Sequence, residues 1–136
     1  MEGEIAVNTS SLVYIAKLDI FNLAKNMFSR FLVPKEVIEE IFEKEEIENN
    51  LIKKELNKFI KETDINKIRD FNIHKGEKAA ISLCLEKGHP FLSDDKKARK
   101  IANSLGIEVI GVLGILIWNL KRKKIEIEEY NELSKS

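Results

Sequence analysis

Four acidic side chains and one amide are candidates for chemistry because of where they lie. Some directly follow apolar runs of the sequence, and others lie within helical segments. They are Asn8 after the first apolar run, Glu40 and Glu77 in helical segments, and Asp94 and Asp95 after the run PFLS. Carboxylates gathered within a few ångströms repel one another unless a proton or a cation lies between them. Mg²⁺ and Mn²⁺ prefer such oxygen ligands, and a bound ion lowers the pKa of a water that can attack a phosphodiester. The residue types therefore predict metal-assisted phosphoryl hydrolysis.

Short apolar runs alternate with segments of helical spacing, and this alternation predicts the elements that hold the acids. Buried strands are predicted at 4–8, with Asn8 at the carboxyl end, and at 31–33, 90–93 and 107–110. Helices are predicted at 11–18, from Pro34 onward, and at 75–87, 94–105 and 112–120, with Gly88 and Gly106 as stops. The fold class expected is α/β, a three-layer α/β/α sandwich around a short parallel sheet. Because ligands of such sheets gather at the carboxyl ends of strands, we expect the acids to share one cleft.

The segments between these elements have weaker patterns. Residues 22–30 predict a short helix or turn. Residues 43–61 predict one amphipathic helix, because their apolar side chains keep helical spacing through Phe59 and Ile60. Residues 63–74 have no clear period, so we expect a connector that contains a short strand or a helical turn.

Length and composition favour one domain over residues 1–136. Lys plus Arg equals Asp plus Glu at 23 each, so attraction to nucleic acid must come from local patches. Cys84 is the one cysteine and lies in an apolar helical run, which excludes an internal disulfide and favours the core. No signal-peptide pattern opens the sequence, and its longest apolar run, VIGVLGILIW, is too short to span a bilayer. We expect a cytoplasmic protein without a membrane anchor.

Four strings carry a resemblance to a known family. They are AVNTSSLVYIAKL, VPKEVIEEIF, HKGEKAAISLCLEKG and FLSDDKKARKIANSLGIEVIGVLGIL. In order and spacing they resemble the motifs of PIN-domain proteins, and they are closest to the prokaryotic subfamily related to VapC-type toxins. The resemblance implies the same sandwich fold, Mg²⁺ or Mn²⁺ held by acidic residues, and hydrolysis of single-stranded or structured RNA. It further implies a homodimer and an antitoxin partner.

Carried over by motif, the acids of the family fall on Glu40, Glu77, Asp94 and Asp95, and Glu77, Asp94 and Asp95 are the expected metal ligands. The pattern breaks at Asn8, where the family has an aspartate, so metal affinity should be weaker. Val112 likewise stands where relatives often have a hydroxyl residue.

Two functions are therefore open. The resemblance favours a metal-dependent endoribonuclease, with Asn8 orienting water or completing the ligand set, and a toxin of a toxin–antitoxin pair is one form of it. The alternative is a catalytically degenerate PIN domain that binds nucleic acid or a protein partner. A third class, a signalling receiver domain, expects an acidic pair after the first strand, where this chain has Asn8.

Each candidate also has a purely structural interpretation. Glu77 suits a first helical turn because of the helix dipole, and one of Asp94 and Asp95 is expected to cap the next helix. A one-residue error in helix phase would exchange Glu40 with Glu39. His74 and His89 lack the spacing of a zinc pair and are interpreted as structural. The basic runs at 96–100 and 121–124 fit either phosphate contacts or solvated helix surfaces, and Trp118 fits either the core or a dimer contact.

Overall fold

A computed structural model describes residues 3–136 and contains a five-stranded parallel sheet. Its strands are β1 (Glu4–Val7), β2 (Arg30–Pro34), β3 (Ile60–Thr63), β4 (Phe91–Leu92) and β5 (Val109–Ile110). They lie in the order β3-β2-β1-β4-β5, and every pair is parallel. The expected α/β fold class is thus confirmed.

Eight helices cover the sheet within the described residues. They are α1 (Thr9–Leu18), α2 (Phe21–Met27), α3 (Lys35–Phe42), α4 (Asn49–Glu55), α5 (Lys75–Lys87), α6 (Lys96–Ser104), α7 (Val112–Lys121) and α8 (Ile127–Ser134). Over residues 3–136 every helix falls short of the length and apolar character that a membrane span needs.

Two apolar layers enclose the sheet because successive side chains of a strand point to opposite faces. On β1, Ile5 and Val7 join a cluster with α1, α2, α3 and α7, whereas Ala6 joins a second cluster with α5 and α6. All three side chains are fully buried. The central strand is therefore covered on both faces, as the three-layer prediction requires.

The strand order reverses between β1 and β4. From β1 the chain moves outward to β2 and β3, and it then returns to the other side of β1 to form β4 and β5. In open α/β sheets a crevice forms at such a reversal, because the helices that follow the two neighbouring strands lie on opposite faces. Asn8 directly follows β1, and the segment from Ser93 to Asp95 directly follows β4, so this reversal determines where the candidate residues meet.

The prediction of one helix at 43–61 is wrong. Only Asn49–Glu55 is helical, and Ile60–Thr63 is an edge strand paired with β2. Asn57 adopts a left-handed backbone with φ of 65°, which ends the helical path. Phe59 and Ile60 are buried. Their apolar side chains therefore mark the start of a strand, although their spacing also fits a helix.

Other segments fit the predictions to different degrees. The short helix predicted at 22–30 is confirmed as α2. The connector contains the last residue of β3, Thr63, and residues 64–74 form neither helix nor strand. The helix α8 was not predicted, since residues after the basic run have a short and highly charged pattern.

Phe31 lies at the centre of the larger core layer. Its ring is fully buried, and its centroid lies 4.6 Å from that of Phe59. The ring centroids of Phe21 and Phe28 lie farther away, at 6.3 and 6.2 Å. Because the ring fills the space between β2, β3 and α2, Phe31→Ala should lower the free energy of unfolding by about 3–5 kcal/mol. Urea unfolding followed by circular dichroism measures this loss, and the partly buried Phe71→Ala is the control, with a smaller loss expected. A loss below about 1 kcal/mol for Phe31→Ala would contradict this packing.

Candidate active site

Asn8 joins the carboxyl ends of β1 and β4. Its side chain is fully buried and caps α1, where Oδ1 accepts a hydrogen bond from the Ser11 N–H at 3.1 Å. On the other side Nδ2 donates to Ser93 Oγ at 2.8 Å. Both ends of the amide are therefore hydrogen-bonded. Its orientation is fixed because the oxygen accepts from α1 and the nitrogen donates to the segment after β4.

Asp94 connects three elements around the same point. Its Oδ2 accepts a hydrogen bond from the Ser11 hydroxyl at 2.9 Å, and its Oδ1 accepts one from the Val112 N–H at 3.1 Å. The second contact places the carboxylate at the amino end of α7, where the helix dipole favours negative charge. Gly111 allows this approach, because a Cβ there would lie 2.7 Å from Asp94 Oδ1. Asp94 thus ties β4 to α1 and α7.

Asp95 is the residue that caps α6. Its Oδ2 accepts a hydrogen bond from the Ala98 N–H at 2.8 Å, and its own N–H donates to Ser93 Oγ at 3.2 Å. Of the predicted pair, Asp95 therefore caps α6, and Asp94 connects β4 to α1 and α7. Within residues 3–136, Oδ1 of Asp95 accepts no side-chain hydrogen bond.

Glu40, and not Glu39, faces the site from α3. The Thr9 hydroxyl donates to Glu40 Oε1 at 3.0 Å, and His74 Nε2 lies 3.3 Å from Oε2, whereas Glu39 is exposed. Gly76 makes room for this group, since a Cβ at that position would lie 2.6 Å from Thr9 Oγ1. The helices α1, α3 and α5 thus meet around one carboxylate.

Glu77 lies in the first turn of α5 and faces two other carboxylates. Burial raises the pKa of Glu77, and the nearby charge of Asp95 raises the pKa further. His74 lowers it, Glu40 raises it again, and the His74 backbone N–H lowers it slightly. The net effect is a pKa above the ordinary value of 4.5. The charges of Asp95 and Glu40 therefore add to burial in disfavouring the ionised form of Glu77.

A hollow of about 440 Å³ opens beside these acids. One wall is a face of α1 that carries Ser10, Val13, Tyr14 and Lys17, with Thr9 at its end. The facing wall carries Glu40, Lys44, His74 and Glu77. We refer to this cavity as the α1/α3 hollow, since it lies between those helices. It gives solvent and ligands access to the acids of α3 and α5.

The acidic residues fit only one kind of metal site. Among residues 3–136, no three His, Cys, Asp or Glu side chains come together as a set of metal ligands, so Glu77, Asp94 and Asp95 are not assembled into a three-carboxylate cluster. The oxygens of Asp94 accept hydrogen bonds from α1 and α7, and those of Glu40 contact Thr9 and His74. This leaves Glu77 and Oδ1 of Asp95. Mg²⁺ keeps several waters and often needs only one or two carboxylates plus substrate phosphates. The donor set fits a hydrated Mg²⁺ or Mn²⁺ ion, and it does not fit an ion that requires a complete protein cage.

Several residues at the site were missed by the sequence analysis. His74 was interpreted as structural, yet it caps α5 through Nδ1, contacts Glu40 and lines the hollow. Its position directly before a helix that begins beside Glu77 was the signal. Ser11 and Ser93 hold Asp94 and Asn8, and their roles depend on contacts more than 80 residues apart that no local pattern shows. Val112 acts through its backbone N–H, and its side chain is buried in the core.

The fold is shared with solved structures of low sequence identity. A PilT N-terminus domain protein, SSO1118 from the hyperthermophilic archaeon Sulfolobus solfataricus P2, matches with a TM-score of 0.68 at 16% identity, over 88% of this chain and 94% of that chain. The PIN domain endonuclease Utp24 matches with a TM-score of 0.63 at 8% identity, over 80% of this chain and 84% of that chain. At such identities the likeness shows the fold alone.

Sequence comparison identifies the family. No curated protein matches the chain at a significant level, and the expected relation to VapC-type toxins stays a prediction. The family DUF3368, described as a PIN domain, matches residues 4–134. This match covers nearly the whole chain, and the fold shared with the two solved structures agrees with it. The chain belongs to the PIN-domain family.

Proposed function

We propose that this PIN domain is a phosphodiesterase that cleaves RNA with a divalent cation held by Glu77 and Asp95. The observation that supports it most is positional: the reversal of strand order brings the carboxyl ends of β1 and β4 and the amino end of α5 to one edge of the sheet. Glu77 and Glu40 line an open hollow of about 440 Å³ beside that edge. The name of the structural neighbour Utp24 as a PIN domain endonuclease agrees with this function.

The residues of the chain have separate tasks in this proposal. When bound, Mg²⁺ or Mn²⁺ would offset the charge of the phosphate and lower the pKa of an attacking water. Glu77 and Asp95 hold the ion, and Glu40 is kept in place beside them by Thr9 and His74. Asp94 fixes the position of the segment that carries Asp95, because it is bonded to α1 and α7.

Asn8 favours a second candidate, a PIN domain that binds RNA without cutting it. The buried amide is engaged at both ends and adds no negative charge to the edge. A site with one carboxylate fewer than the family pattern binds a cation more weakly. In this candidate the domain therefore keeps RNA binding and loses hydrolysis. The expected toxin role, antitoxin partner and homodimer stay predictions beside both candidates.

Cleavage of single-stranded RNA in Mn²⁺ separates the two candidates. Glu77→Gln and Asp95→Asn should each reduce the cleavage rate at limiting Mn²⁺ at least about tenfold, because each removes one of two charged ligands and loss of a residue that only supports a ligand already costs about 10- to 100-fold. Asparagine can also cap α6, so Asp95→Asn changes the charge and keeps the helix end. Glu39→Gln is the matched control, since Glu39 is exposed on α3 beside Glu40, and it should cleave like the wild type.

The outcomes are distinct. Unchanged cleavage in both Glu77→Gln and Asp95→Asn would exclude the assigned ligands. Wild-type protein that binds the RNA and leaves it intact over a range of Mn²⁺ concentrations would establish the binding-only candidate.

Asn8→Asp tests what the amide contributes. Without divalent cations this variant should lose about 1–3 kcal/mol of unfolding free energy, because a buried carboxylate replaces an amide that donates to Ser93. Added Mn²⁺ should recover that loss and increase cleavage above the wild-type rate, since the restored charge strengthens the cation site. Thermal unfolding with and without Mn²⁺ measures the first effect. A variant that is destabilised equally in both conditions would show that position 8 has no connection with a cation.

A further inference from the structure

We infer that the α1/α3 hollow is a subsite for an unpaired nucleotide of RNA, with Lys17 and Lys44 on the phosphate and Tyr14 against the base. This inference rests on the proposed function, because it describes how the substrate strand reaches the acids beside β1 and β4. It assigns binding roles to three residues outside the acidic cluster.

The wall formed by α1 has a regular construction. Ser10, Val13, Tyr14 and Lys17 line the hollow, and their spacing of three and four residues places them on one face of the helix. A helix rises about 1.5 Å per residue, so Lys17 lies roughly 10 Å along α1 from Ser10, which is next to the acid-bearing edge. The hollow therefore has an acidic end near Glu77 and a second end, called the basic end, that carries Lys17 and Lys44, with Glu40 and Glu46 beside them in the adjoining cavity.

Lys44 forms the basic end from the opposite wall. It follows α3, and Asn49 Nδ2 donates to the backbone oxygens of Lys44 and Ile41, which fixes the turn that carries it. Within residues 3–136, neither Lys17 nor Lys44 lies within 4.0 Å of a carboxylate, whereas Lys25 and Lys78 do. Two exposed ammonium groups at one end of a cavity offer charge to an anionic ligand.

Tyr14 provides an aromatic surface between the two ends. Its ring is partly buried against the core layer of α1, and its hydroxyl donates to the backbone oxygen of Ser136 at 2.9 Å. Core packing and this hydrogen bond position the side chain, which also lines the hollow. A base can stack on such a ring only if it is free from a duplex, because paired bases are already stacked on their neighbours. The combination with two lysines favours a single strand.

The order of groups along the hollow agrees with a strand that crosses the acidic edge. The carboxylates of Glu40 and Glu77 repel a phosphate placed directly on them in the absence of a cation, whereas Lys17 and Lys44 attract one farther along the cavity. Binding to the basic end therefore needs no divalent cation. This property separates the subsite from the cleavage chemistry and makes it measurable in EDTA.

Fluorescence anisotropy in EDTA, with a labelled single strand of about ten nucleotides, tests the subsite. The double variant Lys17→Gln, Lys44→Gln should bind more weakly, and the slope of log affinity against log salt should fall by about 0.7 for each lost phosphate contact. Tyr14→Leu should weaken binding at least about fivefold, because a stacked base loses its partner. Tyr14→Phe keeps the ring and should stay close to the wild type. A duplex of the same sequence should bind more weakly than the single strand.

The double variant Lys58→Gln, Lys87→Gln is the matched control. Both lysines are exposed, and they lie before β3 and at the end of α5, at the opposite edge of the sheet. This control should keep wild-type affinity and salt slope, and circular dichroism should show that all variants are folded. Wild-type affinity in the Lys17, Lys44 variant would overturn the proposed subsite. A failure of the wild type to bind the RNA would do the same, and either result would leave the hollow for a protein partner.

Failure of this inference differs from failure of the proposed function. If the lysine and tyrosine variants bind and cleave normally while Glu77→Gln loses cleavage, the subsite is wrong and the phosphodiesterase stands. If they lose RNA binding while the wild type never cleaves, the subsite stands on a binding-only domain.

Discussion

The hydrogen bond from Asn8 to Ser93 joins the ends of β1 and β4, and the geometry of the whole site depends on that junction. Ser93 precedes the two aspartates, so holding it against Asn8 fixes where Asp94 meets α1 and α7 and where Asp95 begins α6. Parallel strands with a reversal of order leave a crevice at this point. The fold therefore brings acidic groups together, although each of them also has a local structural role.

The double role of these residues explains how the site differs from a preassembled metal centre. Asp94 is engaged with neighbouring elements, and Glu40 is shared between Thr9 and His74. Burial and the nearby charges of Asp95 and Glu40 make the ionised form of Glu77 unfavourable. In the proposed function, a hydrated cation binds at this edge together with the substrate phosphate. The neighbouring hollow places Lys17 and Lys44 where the rest of that substrate would extend.

Much of the fold could be predicted from local patterns, and the details of the site could not. The segment 75–87 has a long apolar face and Gly88 as a stop, so α5 was predictable, and Asn8 and Asp95 could be placed at strand ends. The spacing of Phe59 and Ile60 suited both a helix and a strand, and pairing with β2 decided between them. Likewise, the sequence alone could not show which of Asp94 and Asp95 caps α6. That choice depends on Ser11 and Val112, which approach Asp94 only in the folded chain.

We propose that crowded carboxylates at this edge favour a cation, and the pH dependence of the protein's stability is the test of it. Because the folded protein raises the pKa of Glu77, its carboxylate costs stability as pH rises above the ordinary value of 4.5. In EDTA at neutral pH, Glu77→Gln should therefore have a higher free energy of unfolding than the wild type. The difference should vanish below pH 4.5, and Mn²⁺ at neutral pH should stabilise only the wild type. A Glu77→Gln variant less stable at neutral pH, or equally stabilised by Mn²⁺, would contradict the claim.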